Sequence, residues 1–159
     1  MPRPLRWSSG MLIGLIGAAI GVLVLLLAGL LTGQGGALIT EAGTRVLPHA
    51  MAAGTGLSPL AAYLVVHTAF YVAAGLAAVL LTRVADRAHA VMAGLLLVII
   101  GIEFGFLVLS TMAVAEGRID VSAWPAFLVA HGAADLAFAL LVLRAHPSLL
   151  RDLREAYEM

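Results

Sequence analysis

The chain has 159 residues, of which 62% are hydrophobic and only 11% charged, with a mean hydropathy of +1.06, whereas an ordinary soluble domain is about 25% charged. A formal net charge of zero, with no basic stripe or aromatic ladder, excludes a nucleic-acid partner. The absence of cysteine excludes disulfides, thiolate metal sites and a cysteine nucleophile.

This composition is that of an integral membrane protein whose first partner is the lipid bilayer. All nine basic residues are Arg, which reads as GC-rich coding bias rather than chemistry. The expected location is a prokaryotic cytoplasmic (inner) membrane.

After a short tail with Arg3, Arg6 and Trp7, the first span covers about 11–32 and carries no ionisable residue. Its apolar core is too long for a signal peptide, whose apolar region has roughly 7–15 residues, so a retained span is expected. Gly10, Gly14, Gly17 and Gly21 give the small-residue spacing that lets helix backbones approach closely.

Residues 33–57 form the longest connection, an extracytoplasmic loop whose centre, Ala37 to Ala53, suits an interfacial helix interrupted near Pro48. His49 in this loop reads as solvated or at the headgroups. The second span covers about 58–82, with Ser58 as N-cap and Pro59 in the first turn. Tyr63, His67 and Tyr71 make a polar-aromatic stripe at i, i+4, i+8 on one face of it.

A charged turn from Arg83 to His89 leads to the third span, about 90–115. It holds Glu103 near its middle, with Gly101 and Gly105 on the opposite face. A second turn, Glu116 to Asp120, precedes the fourth span, about 122–144, which carries Trp124-Pro125 at its mouth and both His131 and Asp135. Residues 147–159 suit a short amphipathic helix, with Arg151/Glu155 and Arg154/Glu158 as i, i+4 pairs.

Arg3, Arg6, Arg83, Arg87, Arg144, Arg151 and Arg154 fall on one side of this arrangement, and Arg45 and Arg118 on the other. Seven against two places both termini in the cytoplasm. The expected fold is an all-α integral membrane domain, 1–159. It has four transmembrane helices in an up-down-up-down bundle, N-in and C-in, and a short C-terminal amphipathic helix.

A shift of 64 residues lays Ser58–Val79 on Ser122–Leu143, matching Ser58/Ser122, Ala62/Ala126, Leu64/Leu128, Val65/Val129, His67/His131, Ala69/Ala133, Ala73/Ala137 and Leu76/Leu140. The match suggests that the second and fourth spans are related by a pseudo-twofold axis along the membrane normal. His67 and His131 then lie at one depth, about 13–14 Å from the outer end, with Tyr71 and Asp135 about 20 Å and Glu103 about 18 Å down.

Ionisable groups in hydrocarbon are costly, rare and functional by default. With no Arg or Lys in the spans, ionised Glu103 and Asp135 beside neutral imidazoles would leave minus two, which calls for protonation, imidazolium formation or a bound cation.

Four readings follow. The working expectation is a divalent transition metal held by His67, Glu103, His131 and Asp135, with Tyr63 and Tyr71 in support, because two imidazoles and two carboxylates suit Zn, Fe or Mn. A second is a small proton- or ion-coupled transporter in which Glu103 and Asp135 exchange protons and the histidines gate access. A third is an accessory subunit of a larger complex, with haem b between His67 and His131 as one version. The fourth is plain structural hydrogen bonding between helices.

Homo-oligomer or complex contacts are expected through the glycine faces of the first and third spans. Ser110 and Thr111 have no base within evident reach, and whether the chain is an enzyme stays open.

Overall fold

The computed structural model describes residues 5–34, 36–46, 58–85, 124–147, 151 and 154. They are entirely helical apart from turns and caps: α1 is Trp7–Leu31, α2 Ala37–Val46, α3 Pro59–Ala85 and α4 Trp124–Ala145. Three of these, α1, α3 and α4, are long and apolar enough to cross a membrane. The expected third span with Glu103, Gly101 and Gly105 lies outside the described residues, as do His49, the Glu116–Asp120 turn and all of the C-terminal segment but Pro147, Arg151 and Arg154.

Helix α1 begins four residues before the apolar run expected to start at residue 11. The tail is tied down: the Leu5 N–H donates to Thr82 Oγ1 on α3 at 3.4 Å, and the Arg83 guanidinium lies 4.6 Å over the Trp7 ring, a cation–π contact. At its other end α1 stops in a Schellman turn. Gln34 N–H donates to Gly29 O and Gly33 N–H to Leu30 O, with Gly33 at φ +72°, where a side chain would be strained.

Helix α3 opens as its sequence predicts. The Ala61 N–H donates to Ser58 Oγ at 3.2 Å, satisfying one orphan donor of the first turn beside Pro59. Helix α2 ends at Val46, two residues before Pro48.

Helix α1 is the spine, packed against both α3 and α4. Gly10 faces Val79, Gly21 faces His67 and Ala134, and Gly17 faces Tyr71 and Phe138, so α3 and α4 both run antiparallel to α1 and parallel to each other. The ends bearing Arg6, Arg83 and Arg144 therefore lie together.

The glycine stripe expected on the first span is buried within this chain. A Cβ at Gly10 would come within 2.5 Å of the Gly75 carbonyl oxygen, one at Gly14 would overlap the Tyr71 carbonyl, and one at Gly75 the Gly10 carbonyl. Backbone here packs on backbone, which supplies the dispersion that holds helices together where lipid offers no hydrophobic drive. Helix α2 lies mainly on α3, with Gly43 against the Pro59 carbonyl.

Three clusters of buried residues are layered along the helices. Near the Arg-bearing end sit Leu5, Ile13, Ala78, Val79, Leu81 and Val142. In the middle are Ala18, Tyr71 and Ala134. Toward the other end are Leu25, Ile39 of α2 and Ala130, with Tyr63 and Phe127 against them. The polar side chains of α3 and α4 meet in the middle layer, between two apolar ones.

Candidate functional site

Tyr71 is fully buried on α3, at 2% exposure, and its phenol reaches α4. The O–H donates to Asp135 Oδ1 at 2.8 Å, and the phenol oxygen lies 3.2 Å from His131 Nδ1. His131 Nε2 in turn lies 3.2 Å from Asp135 Oδ2. The i, i+4 spacing on α4 puts both groups on one helix face, and Tyr71 closes them into a ring of three links.

The glycines of α1 make this meeting geometrically possible. A Cβ at Gly17 would stand 3.1 Å from Tyr71 Cδ1 and 3.6 Å from Phe138 Cβ, and one at Gly21 would stand 2.9 Å from His67 Nε2 and 3.4 Å from Ala134 Cβ. With hydrogen at these positions α1 is thin enough for an aromatic residue of α3 to pass across it to α4.

A proton count defines the ring's chemistry. If each of the three links is a hydrogen bond, three protons are needed, of which Tyr71 supplies one and His131 and Asp135 hold two between them. Imidazolium with carboxylate meets the requirement, and so does neutral imidazole with carboxylic acid. Both are neutral overall, and they differ by one proton moved along the 3.2 Å link from Nε2 to Oδ2. Withdrawing a proton leaves a net negative charge and two acceptors facing each other, costly in hydrocarbon. Either arrangement balances the charge of Asp135 within the ring.

Asp135 keeps 37% of its side chain exposed and His131 18%.

His67 takes a different partner from His131. Its Nε2–H donates to the Ala18 carbonyl of α1 at 3.2 Å, and the acceptor-only carbonyl fixes that tautomer. Its ring stacks on Tyr63, with centroids 5.0 Å apart and planes at 20°, and packs at 5.0 Å and 58° against Tyr71.

Of the six residues expected at the site, then, Tyr71, His131 and Asp135 converge, His67 and Tyr63 continue the stripe toward α2, and Glu103 lies outside the described residues. The sequence reading missed the Ala18 carbonyl as a partner. No side-chain pattern signals a backbone acceptor, and only the adjacent Gly17 and Gly21 hint at the close approach.

Both His131 nitrogens and both Asp135 oxygens belong to the ring, His67 Nε2 is held by Ala18, and the described residues contain no group of three His, Asp or Glu placed to hold an ion.

No protein-family model, curated protein or solved structure matches the chain, so its function is argued from the site itself.

Proposed function

We propose that this chain is a small proton transporter of a prokaryotic cytoplasmic membrane, a four-span bundle with both termini inside, in which Tyr71, His131 and Asp135 bind and pass the proton. The observation that carries the reading is the closed ring itself, with its two neutral states one proton apart. Chains of His and acidic residues at mid-membrane are how pumps and transporters relay protons. The orientation rests on the seven-to-two distribution of Arg.

A divalent-metal reading retains one feature, the i, i+4 approach of His131 Nε2 and Asp135 Oδ2. It requires Tyr71 to turn away and Glu103 to join.

Proton flux into liposomes holding purified protein and an internal pH dye, driven by an imposed potential, tests the proposal. The wild type acidifies the lumen and Asp135→Asn does not. Flux no greater than in empty liposomes, or undiminished in Asp135→Asn, overturns it.

A further inference from the structure

Tyr71 is held from three sides, and only one hold belongs to the ring. Its own oxygen is tied to α4, the α1 backbone at Gly17 faces Cδ1, where an added Cβ would stand at 3.1 Å, and the third wall is the His67 imidazole one turn away on α3, at 5.0 Å. That wall is fixed in turn. His67 is pinned by Nε2–H to the Ala18 carbonyl, backed by the Tyr63 ring, and admitted to α1 only because Gly21 has no Cβ to meet Nε2 at 2.9 Å.

Ala18 and Gly21 are three residues apart on α1, and Gly17 is next to Ala18, so one turn of α1 supplies the carbonyl, the slot and the opposing wall. A side-chain bond to a helix carbonyl that already serves α1 adds little to α1. Its value lies in fixing the imidazole.

We infer that His67 is the positioning residue of the proton site, acting through Tyr71: the Ala18 clamp holds the imidazole as a wall that keeps the phenol O–H aimed at Asp135. This rests on the proton-transfer reading above for its functional meaning, while the geometry it asserts is independent of transport. Without the clamp the His67 ring is free to rotate away, Tyr71 gains lateral room, and its oxygen no longer meets Oδ1 and Nδ1 together. Among the described residues, the titratable groups around His67 are Tyr63 and Tyr71 on α3 and His131 on α4, and α1 presents the Ala18 carbonyl.

The test compares His67→Leu, which keeps bulk but has no donor, with His67→Gln, whose amide N–H can still reach the Ala18 carbonyl, and with Gly21→Ala, which fills the slot. Two quantities are read on the detergent-purified or liposome-embedded chain. One is the infrared band of the Asp135 carboxyl group, assigned by its loss in Asp135→Asn; the other is proton flux.

In His67→Leu and Gly21→Ala the Asp135 band shifts as its Tyr71 hydrogen bond is lost, and flux falls roughly tenfold or more, the scale set by misplacing a reacting group by about 1 Å. His67→Gln keeps the wild-type band and most of the flux. A band unchanged in His67→Leu overturns the inference whatever the flux does, and so does His67→Gln behaving like His67→Leu. If Asp135→Asn leaves flux unaltered, the transport reading fails, and the band still decides the positioning role.

Discussion

Tyr71 and Asp135 are joined by a 2.8 Å hydrogen bond between α3 and α4, and they are 64 positions apart, the same offset that relates His67 to His131. Two residues that the internal match superposes thus become direct partners, while the two histidines it superposes part company. His131 stays with Asp135, and His67 goes to the Ala18 carbonyl. If the two helices share an origin, the site arises where their side chains differ.

Tyr71→Phe removes the shared hydroxyl and leaves Asp135 Oδ1 and His131 Nδ1 without it. The expected loss of stability is about 1–3 kcal/mol, the cost of orphaning buried polar groups. A double-mutant cycle with Asp135→Asn should return a coupling of about 0.5–2 kcal/mol, the range for interhelical hydrogen bonds in bilayers. Reversible unfolding in mixed detergent measures both, and additive losses would break the link.

The glycines make opposite predictions by position. Gly14→Ala and Gly75→Ala drive a Cβ into the facing backbone and should cost about 1–3 kcal/mol by overpacking. Gly132→Ala, on α4, has nothing among the described residues within 4 Å of the new Cβ and should change stability by no more than about 0.5 kcal/mol. The same unfolding measurement on all three variants checks the contrast.

Ser58→Ala removes the cap from the first turn of α3. The loss is about 1 kcal/mol and is local, so amide exchange should quicken at the first turn of α3 and stay unchanged around Gly75. Uniform quickening would mean that the cap supports the whole bundle rather than one end.

Added Zn²⁺ or Mn²⁺ should leave the melting temperature of the wild type where it is, because the ring and the Ala18 clamp already engage the donors. An ion that bound the folded state would stabilise it by about 2.7 kcal/mol at a hundredfold excess over its Kd. A saturable rise with one metal per chain, lost in His131→Ala, would restore the metal reading.

Much of this architecture is written in helical arithmetic. The apolar runs mark α1, α3 and α4, Ser58-Pro59 marks the start of α3, and a constant rise per residue puts Tyr71 level with Asp135. What arithmetic leaves out is which helices are neighbours. The stripe of Gly10, Gly14, Gly17 and Gly21 announces a close approach, yet nothing in it says that the approaching helix is α3 of the same chain.

Depth alone also groups His67 with His131, whereas a backbone carbonyl on α1 takes the His67 Nε2–H. The beginning of α1 at Trp7, ahead of the apolar run, depends on contacts with Thr82 and Arg83 some 75 residues away that no local pattern records.

The central claim is that the Tyr71–His131–Asp135 ring carries a proton between two neutral arrangements. Its most direct test is potential-driven proton flux in liposomes, compared between the wild type and Asp135→Asn at equal folded protein. The wild type should acidify the dye, and Asp135→Asn should show only the rate of empty liposomes. Equal rates in the two proteins would contradict it.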